Sequence, residues 1–346
     1  MRFALMLEPQ QGMSYADQLA SAKRAEANGF DAFFRADHFA SFPGEAGQPT
    51  TDAWSVLAGL ARETERIGLG ALVSPVTFRH AGVFAKVVTT VDEMSGGRIE
   101  VGVGAGWNDL EHQQLGLAFP PIEERANMLE DQLAILHGLW GEPDGWSFEG
   151  ISGVKVEDAL FRPRPVDVPG RPSTSVGGKR PRIIVGSSGT PRSYRLAARY
   201  ADEYNLSSAS PDRAAEVRGK LDEACREIGR DPETLARSTM AGVLVGRSEG
   251  GSSSGSGSSS RLSGTTPRRA RPGWRSVGSA GSTGPRIRRV PRCSGSRRPA
   301  SSGSCSRTSS RGTSTWSMSS ARRSSRGPDP ERCRADQPSA ASAASR

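Results

Sequence analysis

Short apolar runs alternate with longer amphipathic stretches along the first 250 residues. The apolar runs predict strands, and stretches with apolar positions three or four residues apart predict helices. The predicted strands cover residues 3–7, 31–34, 69–73, 99–103, 182–185, 202–206 and 240–245. The predicted helices cover residues 15–28, 53–66, 83–94, 123–140, 191–200 and 211–228. Strands that are apolar throughout and alternate with helices are typical of a parallel sheet covered by helices.

This order of strands and helices predicts an α/β fold, a (β/α)₈ TIM barrel over residues 1–249. A doubly wound sheet is the alternative, since it also alternates strands with helices. Residues 141–179 are rich in proline and predict a long loop. No eighth strand is visible, so we expect an incomplete barrel that has lost its eighth unit. Active-site residues are then expected at the carboxyl ends of the strands.

Composition changes abruptly near residue 250. Residues 1–250 contain 27 Lys and Arg and 34 Asp and Glu, a net charge of −7, although the whole chain has +9. Residues 251–346 contain 19 Arg, 28 Ser, no Lys and three acidic residues. The tail, residues 250–346, has too few apolar residues to form a core, so we expect it to be disordered. The acidic domain gives no electrostatic reason to expect nucleic acid as its partner.

Two hypotheses explain the tail. It is a genuine Ser/Arg-rich arm, or it is an out-of-frame reading of a GC-rich gene. A one-base slip converts many Leu and Val codons to Ser and many Ala codons to Arg, and removes Lys. Residues 314–318 read one base earlier can encode Asp-Met-Val-Asp, which fits the end of a barrel. We favour the slip, and sequencing the DNA around codons 246–255 tests it.

Cysteine use and hydropathy suggest a cytoplasmic protein. Cys225 is the only cysteine before residue 250, and the cysteines of the tail lack metal-like spacing. This favours a reducing compartment and predicts no metal site. The first apolar run meets Glu8 too early for a signal peptide. No apolar stretch approaches the roughly 20 residues that span a bilayer, so we expect no membrane partner.

Candidate site residues cluster at the ends of four predicted strands. They are Asp37 and His38 after the second strand, Leu72 and Val73 in the third, Gly104, Ala105, Gly106, Trp107, Glu111 and His112 after the fourth, and Gly186, Ser187, Ser188, Gly189 and Thr190 after the fifth.

Glycines and a histidine give these ends their chemistry. The turn at residues 186–189 precedes Pro191 at a predicted helix start, where free N–H groups and the helix dipole favour a phosphate. An ordinary tight turn is the alternative. Small residues 102–106 let a planar ring approach the backbone, or serve packing alone.

His38 can exchange a proton near neutral pH, with Asp37 or a backbone carbonyl fixing its tautomer. The alternative is a structural histidine.

Together these segments resemble the luciferase-like monooxygenase superfamily, closest to its coenzyme F420-dependent (deazaflavin) oxidoreductases. The resemblance implies a dimeric (β/α)₈ barrel that binds F420 or FMN at the carboxyl ends of the strands. It implies that the glycines contact the cofactor ring and the turn its phosphate, and that His38 lies near the hydride-transfer centre. It also implies that Asp37 contributes to cofactor binding, and that a non-prolyl cis peptide at Leu72–Val73 lies against the cofactor.

Trp107 departs from one branch of that family. A sugar-phosphate dehydrogenase of the superfamily has a catalytic glutamate at this place, which argues against the same reaction here. Trp107 can wall the pocket or belong to the core. Glu111 and His112 are candidate substrate contacts, with a surface ion pair as the alternative.

Three functions follow. The first is an F420-dependent oxidoreductase that moves a hydride between the coenzyme and a small organic substrate. The second is an FMN-dependent monooxygenase of the same fold. The third is a non-catalytic barrel whose basic tail binds nucleic acid.

Overall fold

The structure, a computed structural model, describes residues 1–242. Nine strands lie in this part of the chain: β1 (Ala4–Leu7), β2 (Ala32–Arg35), β3 (Gly68–Pro75), β4 (Ile99–Gly104), β5 (Trp146–Glu149), β6 (Lys155–Ala159), β7 (Arg182–Ser187), β8 (Glu203–Leu206) and β9 (Ala236–Thr239). Seven helices accompany them: α1 (Tyr15–Ala27), α2 (Ala53–Glu63), α3 (Ala81–Ser95), α4 (Asp109–Leu115), α5 (Ile122–Gly141), α6 (Pro191–Tyr200) and α7 (Pro211–Glu227). Two short 3₁₀ helices cover Pro9–Gln11 and Pro232–Thr234.

Seven strands form one parallel sheet in the order β1-β2-β3-β4-β7-β8-β9. The order follows the chain without reversal, whereas a doubly wound sheet reverses at a switch point. The predicted barrel-type α/β fold is therefore confirmed, and the doubly wound alternative is wrong. Within residues 1–242, β1 and β9 are the edges of the sheet. The predicted tail and the question of an eighth unit lie outside the described residues.

The core lies between the sheet and its helices. Alternate residues of a strand face opposite sides of a sheet. Phe33 therefore packs in the large cluster with Trp54 and Leu133 of the helices. Phe34 faces the other side and packs with Leu72 in a small cluster inside the curve of the sheet. The helices thus cover one face of the sheet, and the small cluster lies on the other face.

The last strand differs from the prediction. We expected residues 240–245, of which 243–245 lie outside the described residues, but β9 ends at Thr239. Its sequence is polar, so no apolar run marks it. Its strand pairing is supported by side chains instead: the Ser238 hydroxyl donates to Glu203 at 2.5 Å and accepts from Asn205 at 2.8 Å.

The stretch at residues 141–179 also contains more structure than predicted. β5 and β6 pair as an antiparallel hairpin. Their residues are mostly exposed or half-buried, so the hydrophobic pattern is weak. No helix of the described part is long and apolar enough to cross a membrane.

His137 on α5 predicts a pH dependence of stability. Its Nε2 donates to the Tyr200 carbonyl at 2.8 Å. Burial, and then the positive charge of Arg180, lowers the pKa of His137 below its ordinary 6.5. The folded protein therefore takes up fewer protons here than the unfolded chain, and stability is lost as the pH falls below about 6.5. Denaturant unfolding at about pH 8 and about pH 5.5 should show a smaller loss for His137→Gln than for the wild type. The exposed His80→Gln is the control, and equal losses in all three proteins would contradict the assignment.

Candidate functional site

The carboxyl ends of β3, β4 and β7 pack closely together around Val73. The side chain of Val73 lies against Gly102, Gly104 and Gly186. A Cβ at Gly186 would lie 2.6 Å from Val73 Cγ1, and a Cβ at Gly104 would lie 2.8 Å from Val73 Cγ2 and 3.3 Å from the Gly186 carbonyl oxygen. The Leu72–Val73 peptide is cis. The structure thus brings together three of the predicted segments, and side chains larger than hydrogen do not fit at either glycine.

His38 follows β2 at the same edge of the sheet. Its Nδ1 lies 3.0 Å from Glu111 Oε1 and 3.3 Å from Oε2. Glu111 Oε2 also accepts the Phe39 N–H at 2.8 Å. Only 1% of Glu111 is exposed. Glu111 is therefore neither a surface ion pair nor an open substrate contact, and it occupies the orienting position that we expected of Asp37 or a carbonyl.

Aromatic rings surround the other sides of His38. The Phe42 ring meets it edge to face at 4.5 Å between centroids, and the Trp107 ring does so at 5.8 Å. Phe42 and Trp107 also contact each other at 5.2 Å. Trp107 is 67% exposed. It is therefore not a core residue, and it forms an apolar wall beside the imidazole.

Asp37 holds the loop after β2 in place. Its buried carboxylate accepts from Ser74 at 2.7 Å and from Arg79 at 2.6 Å. Arg79 also pairs with Asp52. Burial alone would raise the pKa of Asp52, but the N–H of Ser55 and the Arg79 charge outweigh it and lower the pKa. The other oxygen of Asp37, Oδ1, accepts from Arg79 Nη2 at 3.4 Å, so both oxygens are engaged and the carboxylate is an internal anchor.

His112 is fully buried beneath the site. Its Nδ1 donates to the Asn108 carbonyl at 2.6 Å, so Nε2 accepts from the Thr77 hydroxyl at 2.6 Å. The Phe119 ring packs on it at 4.4 Å between centroids. Both ring nitrogens are used within the protein, and no face is exposed. The expectation of a substrate contact at His112 is therefore wrong, and its role is to fix α4.

Fewer backbone N–H groups are free in the turn after β7 than we predicted. The N–H groups of Thr190 and Ser193 are bonded in a capping box at the start of α6. The Gly189 N–H donates to the Ser187 hydroxyl at 3.3 Å. The capping box and this bond within the turn therefore use N–H groups that we expected to be available for a phosphate. A left-handed φ of 94° at Gly189 lets the turn form.

The side chain of Arg213, which the sequence did not predict as a site residue, lies against this turn. Arg213 Nη2 donates to the Gly189 carbonyl at 3.3 Å, while Nη1 pairs with Glu216 at 2.7 Å. Arg213 stands in the first turn of α7, which follows β8. Carboxyl ends of parallel strands share one edge of the sheet, so this segment was a place to look for a charge partner.

The remaining predicted residues line the same edge. Gly106 adopts a left-handed φ of 77°, and the Ala105 carbonyl accepts from Arg125 at 3.1 Å.

A cavity of about 360 Å³ lies elsewhere, in the connection after α5, between Trp140, Arg164 and Lys179. Among residues 1–242, no three His, Cys, Asp or Glu side chains are grouped to hold a metal ion.

Residues 1–250 match the family model described as luciferase-like monooxygenase. The chain therefore belongs to the luciferase-like monooxygenase family. One relative is an F420-dependent glucose-6-phosphate dehydrogenase of Microbacterium testaceum (strain StLB037), 34% identical over 218 residues. The match includes 61% of this chain and 60% of the relative, so the chain spans only about three fifths of that relative's length.

Solved structures share the fold. An F420-dependent secondary alcohol dehydrogenase in complex with an F420-acetone adduct matches with a TM-score of 0.59 and 22% identity, over 69% of this chain and 68% of that one. The FMN complex of a type II Baeyer–Villiger monooxygenase, the oxygenating constituent of 3,6-diketocamphane monooxygenase from Pseudomonas putida, matches with a TM-score of 0.53 and 20% identity, over 68% and 66%. At these identities the likeness establishes the barrel-type fold.

Proposed function

We propose that this chain is an F420-dependent oxidoreductase that moves a hydride between F420 and a small organic substrate. The proposal rests on the edge of the sheet where Val73 packs on Gly104 and Gly186, which is also the edge at which His38 follows β2. Because Gly104 and Gly186 carry no side chains, Val73 lies close to the backbone, and a planar ring can lie against Val73 at this edge. The family membership and an F420-dependent relative support the choice of cofactor.

The residues present fit such a cofactor. Val73, Gly104 and Gly186 would lie against its ring, and the turn with Ser187 and Ser188 would face its phosphate. Bound F420 would supply the hydride chemistry. His38 would exchange the substrate proton, and the rings of Phe42 and Trp107 would keep water from the imidazole.

Arg213 is proposed to neutralise the cofactor phosphate, because it is the cation against the turn. We expect Arg213→Gln to raise the F420 dissociation constant by about tenfold, which matches the roughly 1.5 kcal/mol of a hydrogen bond to a charged group. The value of kcat at saturating F420 should stay unchanged. Arg218→Gln, an exposed change on the same helix, is the control. Equal affinity of the two variants in a fluorescence titration of F420 would exclude this role.

An FMN-dependent monooxygenase is the second candidate, because an FMN complex shares the fold. A reduced flavin reacts with oxygen, whereas a reduced 5-deazaflavin reacts poorly. An oxygen electrode with the full chain and each reduced cofactor separates the two functions. We expect no oxygen uptake with F420 and no FMN-dependent uptake above that of free FMN. Enzyme-dependent uptake with FMN would replace it by the second candidate.

A homodimer is proposed from the family resemblance alone, and light scattering of the full chain measures it directly. Binding of nucleic acid by the tail is tested by the salt dependence of RNA or DNA affinity. Loss of that affinity on truncation near residue 250 would assign it to the tail.

A further inference from the structure

The Glu111 carboxylate has an unusual environment for a negative charge. It is buried, and within residues 1–242 its one ion-pair partner is His38. A buried carboxylate without a hydrogen-bonded partner is costly. Its two oxygens meet His38 Nδ1 and the Phe39 N–H. The geometry therefore joins the loop after β2 to α4 through one carboxylate.

The bond to Glu111 decides where the proton of His38 lies. An ionised carboxylate only accepts hydrogen bonds, so the Nδ1 that faces it must donate. In the neutral imidazole the proton is then on Nδ1, and Nε2 is the acceptor. Both hydrogen bonds of His38 in the described part of the chain run through Nδ1. Nε2 is thus left available as a base.

We infer that Glu111 is a positioning residue, which holds His38 in the Nδ1–H tautomer so that Nε2 exchanges the substrate proton. The inference rests on the proposed function. For an alcohol substrate, the O–H bond breaks and its proton goes to Nε2. Bound F420 would accept the hydride from the carbon that carries this hydroxyl, and that carbon would become the carbonyl carbon. The resulting imidazolium has N–H groups at both nitrogens, and Glu111 stabilises its charge.

Glu111→Gln tests this with little change in volume. The single amide oxygen of glutamine can accept from the Phe39 N–H, and the amide NH₂ then donates to Nδ1. His38 is forced into the Nε2–H tautomer, which cannot act as the base. We expect kcat to fall by about 10²-fold or more, since the wrong tautomer in a known carboxylate–histidine pair costs about 10⁴-fold. The F420 dissociation constant should not change. Glu111→Asp keeps the carboxylate and should recover part of kcat. Glu123→Gln, at an exposed position of α5, is the control.

Nitrogen-15 NMR of the histidine side chains reads the tautomer without any activity. The chain has four histidines, and the signal of His38 is the one missing in His38→Asn. The wild type must show protonated Nδ1 and bare Nε2 at a pH where His38 is neutral, and Glu111→Gln must show the reverse. A wild type with protonated Nε2, or a tautomer that Glu111→Gln leaves unchanged, overturns the inference. If the tautomer switches as expected but the chain binds no F420, the proposed function fails and the pairing stands.

Discussion

His38→Asn is expected to lower kcat for F420-dependent turnover by about 10² to 10⁴-fold, the usual contribution of a general acid or base. Asparagine keeps a polar side chain of similar length but cannot exchange a proton near neutral pH. The F420 dissociation constant should stay close to that of the wild type, because the packing of Val73 on Gly104 and Gly186 is untouched.

His80→Asn is the matched control for this change. His80 is exposed and caps the amino end of α3, where its Nδ1 accepts the Gly82 N–H. Asparagine serves equally well as such a cap. The control should retain full turnover. If His38→Asn and His80→Asn turn over alike, proton exchange at His38 must be given up.

The second large effect, on stability and on F420 binding, is expected at Gly186. Gly186→Ala places a Cβ 2.6 Å from Val73 Cγ1. A valine side chain is stiff, so the clash is expected to destabilise the fold by about 1–3 kcal/mol, the cost of overpacking. It should also weaken F420 binding, because the methyl group and the displaced valine occupy the ring surface.

A double mutant shows whether the clash with Val73 causes the loss of stability in Gly186→Ala. Val73→Ala removes the atoms that clash and should restore most of the stability lost in Gly186→Ala. Gly102→Ala is the matched control, since its Cβ would overlap the Ala71 carbonyl oxygen, which Val73→Ala does not remove. Urea unfolding measures the wild type, Val73→Ala, each glycine variant and each glycine variant combined with Val73→Ala. Rescue of both glycine variants, or of neither, would contradict the packing described for this surface.

The strand–helix order of the barrel could be predicted because the inner strands are apolar on both faces. β2 and β4 are buried along their whole length, so an apolar run marks each of them. β9 could not be found in this way. It is an edge strand of polar residues that bond to side chains of β8, and such bonds leave no hydrophobic pattern.

The sequence predicts which strand ends form the site. It does not predict which side chains contact each other there. Parallel strands bring their carboxyl ends together, and this rule placed His38 with Gly104 and Gly186. The partner of His38 lies 73 residues away along the chain. No local pattern distinguishes Glu111 from a surface glutamate, so only the folded chain reveals the pair. Arg213 was missed for the same reason.

We propose that the strand ends around Val73 bind a deazaflavin ring. A fluorescence titration of F420 with the full chain, repeated with excess FMN and with Gly186→Ala, tests it most directly. We expect saturable binding with a dissociation constant on the order of micromolar, the lower end of typical enzyme substrate constants. That binding should be weaker in the glycine variant. Absence of saturable F420 binding, or binding that Gly186→Ala leaves unchanged, would contradict it.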